Sequence, residues 1–392
     1  MPSAVPKANK GEWSEPYVAA RILGEGKLYM ADNNGEKNPN AWMDVLELMR
    51  DETANRLVVY SYDPQTTDVH ISVNDSPTKI VPATTFMHLA DKLMSEITSA
   101  SGTTFHINEE LWEQFWDSEF QSLKARSEDK SDLHLSVIDN RSGVVRHKIG
   151  FSIKSEFGRP STLFNTAKAS ACVYKLEGFT EADADQVNSI FTQVTKNDKT
   201  RNKVAVGKRC LKIEELIQGK TQGKIIHQGT PYAPKAGCKA FSENLELLNP
   251  RLLELLPSLL WEHHCGRIPG RTIPEICDFL VQTNPLGLTR PQEKYTYMLK
   301  SFLYAAYCGM TASTLWDGRS EVNGGFIHVS KSGEVLAFYA MESDSFKDYL
   351  FRNCFLESPA TSEAHGFYGS VYEENGDYYF RLNFQIRYSS TL

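Results

Sequence analysis

The chain has 392 residues, of which 41% are hydrophobic and 23% charged, and this balance predicts one large or two ordinary globular domains rather than disorder. The formal net charge of −7 argues against a protein that binds nucleic acid over its whole surface, although it allows a local basic groove. The sequence has no apolar run of about 18 residues and no hydrophobic segment after its first lysines, so we expect neither a membrane span nor a secretory signal.

The first predicted element is a helix over residues 11–26, with Ser14 as its N-cap. Val18 and Ile22 define an apolar stripe on this helix, and Glu15 lies on the same stripe one turn earlier. An acidic side chain on an inward face is costly unless it is paired or holds a metal. Glu15 is therefore a candidate functional residue.

Six further elements are predicted before residue 130 from hydrophobic periodicity and turn residues. They are a helix over residues 41–52, strands over 56–62, 69–74 and 79–83, and helices over 86–100 and 108–125. Asn108 is the predicted cap of the last helix, whose aromatic residues we assign to the core.

Residues 132–154 predict a β-hairpin with an acid and a lysine on one face. Side chains i and i+2 share a face of a strand, so Asp132 lies on the polar face of the first strand. Ser152 and Lys154 occupy the corresponding face of the second strand, opposite Asp132. Asp139 lies at the turn end with the opposite parity, so we rank it below Asp132 as a catalytic group.

An aspartate and a lysine placed in this way suit phosphodiester hydrolysis with a divalent metal. A carboxylate binds a hard cation such as Mg²⁺, and a lysine can orient the attacking water or stabilise negative charge in the transition state. The same alternation is also typical of the solvated face of an ordinary antiparallel hairpin. The hairpin alone leaves both interpretations open.

The second half of the chain is predicted to be rich in helices and to end in strands. Helices are predicted over 181–195, 243–262, 273–282 and 292–307, and hairpins over 325–339 and 369–388, the second with its turn at Asn375-Gly376. A basic stretch precedes the helical part and predicts either a phosphate-contacting groove or a solvated charge run. It consists of Lys196, Lys199, Arg201, Lys203, Lys208, Arg209 and Lys212.

Several other chemistries have no support in the sequence. Seven cysteines occur singly without a C-x-x-C pair, which predicts reduced thiols and a cytoplasmic protein. Trp261-Glu-His-His-Cys265 is more typical of a helix end than of a zinc site, because adjacent histidines point in different directions. No phosphate-binding glycine loop is present, so we expect no nucleotide cofactor.

Five motifs, in order along the chain, resemble the HpaII-type family of type II restriction endonucleases. The resemblance covers almost the whole chain. The motifs are Gly11-Glu-Trp-Ser-Glu15, Gly150-Phe-Ser-Ile-Lys-Ser155 with Gly158 and Ser161-Thr-Leu-Phe-Asn165, Trp316-Asp-Gly, Gly324-Gly325, and Arg381-Leu-Asn-Phe-Gln-Ile-Arg-Tyr388.

The resemblance implies a Mg²⁺-dependent endonuclease that cleaves double-stranded DNA at a short palindromic, CCGG-like site and acts as a homodimer. It implies an α/β (α+β) fold, in which a PD-(D/E)xK-like nuclease core has a mixed sheet flanked by helices. An α-rich block and a C-terminal β-hairpin segment would follow. We therefore expect a nuclease core over residues 11–178 and a region for DNA recognition and dimerisation over 179–392.

Within that family pattern, Asp132 and Glu15 would hold the metal, and Lys154 would assist the attacking water. Ser152 departs from the pattern, because it stands where the motif has a second acid and a serine supplies no carboxylate. Either Glu15 completes the site, which we prefer, or Glu156 reaches it from the next turn. The missing acid also leaves an alternative function, a sequence-specific DNA-binding protein on a nuclease scaffold that no longer cleaves.

The residues that would contact DNA are predicted from side-chain chemistry. Arginine and lysine suit guanine and phosphate, and asparagine and glutamine suit adenine. Four of the candidates alternate along one predicted strand at the C-terminus, a pattern that an ordinary polar face also produces. The candidates are Arg159, Asn165, Lys168, Lys208, Arg209, Arg381, Asn383, Gln385 and Arg387.

Overall fold

The computed structural model describes residues 4–102, 104–123, 131–158, 161–165, 167–190, 199–319, 323–358 and 368–388. The chain forms two compact units that interleave along the sequence. The first unit contains Met1–Ser161, Ser320–Tyr349 and Ser389–Leu392, and the second contains Thr162–Arg319 and Leu350–Tyr388. The sequence stretch 320–349 thus returns to the unit that holds the predicted hairpin.

The described strands have the following bounds. In chain order they are β1 (Ala8–Asn9), β2 (Lys27–Ala31), β3 (Lys37–Thr53), β4 (Arg56–Asp63), β5 (Asp68–Val73), β6 (Ser76–Pro82), β7 (Thr104–Phe105), β8 (Leu133–Asp139), β9 (Val145–Ser155), β10 (Ser161–Phe164), β11 (Ala171–Glu177), β12 (Lys224–His227), β13 (Gly325–Val329), β14 (Val335–Tyr339), β15 (Cys354–Leu356), β16 (Val371–Glu374), β17 (Asp377–Asn383) and β18 (Ile386–Tyr388).

The described helices complete a mixed α+β architecture. They are α1 (Lys10–Glu25), α2 (Ala83–Ser99), α3 (Glu109–Asp117), α4 (Glu181–Asn188), α5 (Lys199–Gln218), α6 (Ala240–Leu248), α7 (Leu252–His264), α8 (Ile273–Thr283), α9 (Pro291–Tyr307) and α10 (Ser343–Asn353). None of these helices is long and apolar enough to span a membrane.

The first unit is built on a nine-stranded mixed sheet with the order β2-β14-β13-β9-β8-β3-β4-β5-β6. The predicted hairpin is confirmed as the antiparallel pair β8 and β9, and β13 adds to β9 in parallel. β2 pairs with β3 as well as with β14, so the sheet curls back on itself. The mixed sheet expected for the first part of the chain is therefore present.

Helices α1, α2 and α3 pack on one face of this sheet and bury its main core. The core includes Tyr17 and Val18 of α1 together with Phe151 and Ile153 of β9 and Ile327 of β13. On the opposite face lies α10, whose Phe346 stacks on Phe326 of β13 with ring centroids 4.8 Å apart. The two faces of β9 therefore meet different surroundings.

The start of α1 differs from the prediction in its cap. Asn9, not Ser14, is the N-cap, and it forms a capping box in which Glu12 N donates to Asn9 Oδ1 at 2.9 Å and Asn9 N donates to Glu12 Oε2 at 2.8 Å. Ser14 lies inside the helix. The predicted inward position of Glu15 is confirmed, since this residue is 7% exposed.

The predicted helix over residues 41–52 is wrong, because this stretch lies in strand β3. The strand pairs with β4 on one side and β8 on the other, and its register shifts between Val45 and Glu47. The buried positions alternate through Ala41, Met43 and Val45 and then continue at Leu48, Met49 and Arg50. Across the shift, Val45, Leu48 and Met49 therefore have the spacing of one face of a helix.

Two other helices are shorter than predicted. α3 ends at Asp117 rather than at residue 125, and Glu119 then turns the chain with a left-handed φ of 69°. The helix predicted over 243–262 is two helices, because Asn249 precedes Pro250 and has extended backbone angles, φ −168° and ψ 113°. α4 is described only from Glu181 to Asn188.

The second unit combines α4 to α9 with two small sheets. One has the order β12-β11-β17-β16 and the other β10-β18-β15. The hairpin of β16 and β17 turns at Asn375 and Gly376, whose φ angles of 57° and 82° are left-handed as predicted. The predicted final strand is divided, since β17 ends at Asn383 and β18, in the other sheet, begins at Ile386.

Candidate active site

The register of β8 and β9 brings Asp132 directly to Ser152. Leu133 pairs with Phe151, so Asp132, one residue earlier, faces Ser152, one residue later. Ser152 Oγ donates a hydrogen bond to Asp132 Oδ2 at 3.0 Å, and Ile153 N donates to the same oxygen at 2.6 Å. The Asp132 carboxylate is therefore fixed by the second strand of the hairpin, while its other oxygen, Oδ1, takes part in neither of these bonds.

Lys154 lies on the same face of β9 as Ser152, two residues further along. The parallel strand β13 places Phe326 beside Ser152 and His328 beside Lys154. Asp132 and Lys154 are half-buried, and Ser152 is 8% exposed. The structure thus brings together three of the four residues predicted for catalysis, namely Asp132, Ser152 and Lys154.

Two glycines of the recognised motifs allow this close packing. A Cβ on Gly150 would lie 2.1 Å from Ser131 Oγ, and a Cβ on Gly324 would lie 2.7 Å from Gly150 O. Gly324 N donates to Gly150 O at 2.9 Å, and Gly150 N donates to Asn323 Oδ1 at 2.7 Å. These contacts join β9 to the segment before β13, which explains physically why glycine stands at both positions.

Glu15, the fourth predicted residue, lies on α1 close to a buried ion pair. Arg50 Nε and Glu52 Oε1 are 2.8 Å apart, and both side chains are fully buried. Burial lowers the pKa of Arg50, but the Glu52 carboxylate more than offsets this and leaves the pKa raised, with Glu15 acting in the same direction. Glu15 thus adds a carboxylate to this buried charged region, on the side of the sheet that α1 covers.

Asp139 occupies the far end of the hairpin, as predicted. Arg141 N and Nε donate to its Oδ1 at 2.9 and 3.3 Å, and Arg141 also pairs with Glu342. Burial opposes ionisation of Asp139, yet the hydrogen bonds from Arg141 lower its pKa overall. These contacts give Asp139 a structural role in the turn.

A buried polar group that the sequence prediction missed lies next to Lys154. His328 Nε2 is 3.9 Å from Glu156 Oε1 and 3.4 Å from the Tyr349 hydroxyl. His328, Glu156 and Tyr349 are 4%, 7% and 2% exposed. Burial lowers the pKa of His328, while Glu156 acts to raise it. No local sequence pattern marks His328, because only the parallel pairing of β13 with β9 brings it to Lys154.

The predicted DNA-contacting residues differ widely in exposure. Asn165, Lys168 and Lys208 are exposed, and Arg159 lies outside the described residues. Arg209 is buried, and its guanidinium donates to the main-chain oxygens of Ile190, Asn188 and Gly369 at 3.2, 3.0 and 2.6 Å. The expectation that Arg209 lies in an open basic groove is therefore wrong, since it fixes the backbone of the second unit.

The shared polar face predicted for the C-terminal strand is also wrong. Asn383 and Gln385 are 1% and 5% exposed, and Asn383 Nδ2 donates to Ala167 O at 2.7 Å. Arg381 Nε donates to the Tyr372 hydroxyl at 2.6 Å, and Arg387 pairs with Glu357. The break between β17 and β18 ends the alternation on which the prediction depended.

The other cysteine and histidine interpretations agree with the structure. All seven cysteines are free thiols. His264 ends α7 and its Nε2 lies 2.9 Å from the Tyr368 hydroxyl, so Trp261–Cys265 is a helix end. Within the described part of the chain, no three His, Cys, Asp or Glu side chains form a cluster that could hold a metal without help from substrate or solvent.

Comparison with known proteins shows that the chain is related to a known family over nearly its full length. The family model described as HpaII restriction endonuclease matches residues 9–388. The chain is 30% identical over 382 residues to the type II restriction enzyme HpaII of Haemophilus parainfluenzae, which covers 97% of this chain and 98% of that protein. No solved structure matches the chain.

Proposed function

The chain belongs to the HpaII restriction endonuclease family and is a type II restriction endonuclease, and from this premise we propose that it hydrolyses double-stranded DNA at the β8–β9 hairpin with Mg²⁺ as cofactor. The carrying observation is the convergence of Asp132, Ser152 and Lys154 on one face of that hairpin. The arrangement follows the order of a PD-(D/E)xK core, an acid before one strand and a lysine on the next.

The chemistry of the donor set fits a magnesium ion. Asp132 Oδ2 accepts the two hairpin hydrogen bonds, so these bonds do not use the lone pairs of Oδ1. Mg²⁺ commonly binds through one or two carboxylates together with water and substrate phosphate. The single ordered carboxylate of Asp132 could therefore serve as a protein ligand of the ion. When bound, the ion would neutralise phosphate charge and lower the pKa of a bound water.

The side chains of the chain itself then have distinct tasks. Asp132 would bind the metal ion and keep it in a fixed position, since its carboxylate is held rigidly by the neighbouring strand. Lys154, with a positive charge on the same face, stabilises the negative charge that develops on the phosphate and orients the attacking water. Ser152 holds Asp132 in place. Glu15, on α1 at the opposite face of the sheet from Ser152 and Lys154, is proposed as the second carboxylate on the basis of the family pattern.

The DNA site and the assembly are proposed from the same family relationship. A short palindromic, CCGG-like sequence suits a homodimer, because a two-fold site favours a two-fold protein. Exposed candidates for phosphate or base contact in the second unit are Asn165, Lys168 and Lys208. We propose that this unit carries DNA recognition and dimerisation.

The test is a plasmid digest with Mg²⁺, followed by mapping of the fragment ends. Discrete fragments are expected from the wild type, and none from Asp132→Ala or Lys154→Ala, while both variants still bind the mapped site in Ca²⁺. Retained cleavage by either variant would overturn the site assignment. Glu15→Gln should also abolish cleavage, whereas full activity of that variant would assign the second acid elsewhere.

One observation favours a second candidate, a DNA-binding protein that no longer cleaves. Ser152 stands where the motif has an acid, and its hydroxyl is committed to Asp132. The same digest separates the two functions. A gel shift that weakens with salt, without fragments at any Mg²⁺ or Mn²⁺ concentration, would support the second function and exclude the first.

A further inference from the structure

A basic part of the β8–β9 hairpin takes no part in the proposed reaction. Although the chain has a net charge of −7, the hairpin has no acidic residue between Asn140 and Ser155, and its cations there are Arg141, Arg146, Lys148 and Lys154. Lys148 lies on strand β9 and is exposed. We propose that Lys148 binds a backbone phosphate of the DNA away from the scissile one, and that a distortion of β9 presents its side chain; this inference rests on the proposed function.

The distortion is a β-bulge at Lys148. The register of the hairpin shifts beside Ser136, so that this one residue of β8 faces two residues of β9, His147 and Lys148. Lys148 has a left-handed φ of 49°, which a residue with a side chain adopts only at an energetic cost. Glycine would adopt the same backbone without that cost. Bulges often redirect a side chain next to an active site, and a use of the lysine side chain would explain why lysine stands here.

Buried hydrogen bonds hold the bulge in place. Lys148 N donates to Ser136 Oγ at 3.4 Å, and Ser136 Oγ donates to Glu47 Oε2 at 2.9 Å. Glu47 is the register partner of Ser136 on the next strand, β3, and Ser136 is 2% exposed. The main chain of Lys148 is therefore tied to three neighbouring strands, which fixes the point from which its side chain extends.

The charge of Lys148 is available to a partner outside the protein. Arg141, near the turn, pairs with both Asp139 and Glu342, so the acidic groups at this end of the hairpin already have a cation. Within the part of the chain that the structure describes, the Lys148 ammonium forms no ion pair and no hydrogen bond. An exposed ammonium of this kind suits a DNA phosphate, because the contact releases a condensed counterion.

The position of Lys148 on the hairpin sets the distance between the two phosphates. Lys148 comes four residues before Ser152 on β9, which corresponds to about 13 Å along a strand. Ser152 is in contact with Asp132, where we propose that hydrolysis occurs. One base pair advances the duplex by about 3.4 Å along its axis, so the phosphate bound by Lys148 should lie about four base pairs from the scissile one.

The first test measures binding of an oligonucleotide duplex that contains the mapped cleavage site, in Ca²⁺ and over a range of salt concentrations. Lys148→Ala should reduce the slope of log affinity against log salt by about 1 and raise the Kd about 5-fold at physiological salt, the effect of one phosphate contact. The single-turnover rate constant at saturating enzyme should stay within about 2-fold, because this lysine does not touch the reacting phosphate. Lys148→Arg should bind as the wild type does.

The second test locates the contact on the DNA. A set of duplexes, each with one phosphate replaced by an uncharged methylphosphonate, should include one position about four base pairs from the cut that weakens binding by the wild type. The same duplex should bind Lys148→Ala no worse than the unmodified duplex does. A lysine with only a structural role would leave the pattern of sensitive positions unchanged. Lys92→Ala, at an exposed lysine of α2, is the matched control and should behave as the wild type in both tests.

Lys148→Gly separates the side chain from the backbone. This variant should weaken DNA binding as much as Lys148→Ala does, yet it should have a higher urea midpoint than the alanine variant, because glycine relieves the left-handed backbone. A glycine variant less stable than the alanine variant would overturn the argument that β9 is distorted at this residue. An unchanged salt slope in Lys148→Ala, or the same sensitive phosphates in variant and wild type, would overturn the contact itself. Failure of the proposed function would be seen separately, as a wild type that does not cleave or a Lys154→Ala that does.

Discussion

Asp132→Asn is the most informative single change, because the structure separates the two roles of this carboxylate. The amide oxygen of asparagine can replace Oδ2 as acceptor for Ser152 Oγ and Ile153 N, which lie 3.0 and 2.6 Å away. The hairpin should then lose only about 1 kcal/mol of stability, the net value of weakened hydrogen bonds. The charge on the other oxygen is lost completely.

Cleavage should therefore fall far more than stability. We expect a single-turnover rate constant lower by about 10²- to 10³-fold, the usual effect of removing one preorganised electrostatic contact. Melting and Ca²⁺-dependent duplex binding should stay close to the wild type. The assay is quenched cleavage of a labelled duplex with enzyme in excess.

Asp139→Asn provides the matched control at the other end of the same hairpin. This carboxylate pairs with Arg141, whose side chain is 36% exposed, so its loss should cost about 1 kcal/mol or less and leave the cleavage rate unchanged. Our reasoning would be refuted by an Asp132→Asn enzyme that cleaves at the wild-type rate, or by equal loss of activity in both variants.

Three further predictions concern stability and DNA contact. Glu52→Gln removes the carboxylate that forms the buried ion pair with Arg50 and should lower the free energy of unfolding by about 3–5 kcal/mol, which urea titration measures. A change under about 1 kcal/mol would contradict this. Arg209→Ala should lower the urea midpoint without altering the salt dependence of DNA binding, because its guanidinium bonds to main-chain oxygens. Lys208→Ala, at an exposed site, should keep the midpoint and reduce the slope of DNA affinity against salt by about 1. The reverse pattern would show that Arg209 contacts phosphate. Burial opposes ionisation of Asp183, but Lys220 at 2.7 Å lowers the pKa of this carboxyl overall. Its contribution to folding stability is therefore present above the unfolded pKa and is lost as pH falls through the folded pKa. Asp183→Asn should flatten the fall in stability below about pH 4, and an unchanged fall in stability at low pH would argue against this.

The hairpin could be predicted from sequence because its signal is local. Strict alternation around Leu133, Leu135 and Val137 marks one buried row, and these residues are at most 1% exposed. The register shifts by one residue between Leu135 and Val137, so the turn does not fix the pairing at Asp132. The contact between Asp132 and Ser152 follows instead from burying the apolar rows of both strands on the same face. Local patterns of this kind need no knowledge of the rest of the fold.

Strand β3 could not be predicted in the same way. Leucine, methionine and glutamate favour helices in isolation, and the bulge near Val45 removes the period-two pattern. Pairing with β4 and β8 on both sides decides the structure, and that pairing is invisible in the segment itself. The same limit applies to His328, which reaches Lys154 only through a strand some 170 residues further along the chain.

The serine at position 152 limits where the second acid of the site can come from. A glutamate or aspartate there would face Asp132 across the hairpin, and two carboxylates at such a distance repel each other unless a cation lies between them. Ser152 instead donates to Asp132, so this position of the hairpin carries one ordered negative charge rather than two. Any further carboxylate must then approach from outside the hairpin. Glu15, on the α1 side of the sheet, and Glu156, just beyond the end of β9, are the two candidates that the sequence predicts. The cleavage rate of Glu156→Gln therefore separates these two candidates, because full activity favours Glu15 as the source of the acid and loss of activity favours Glu156.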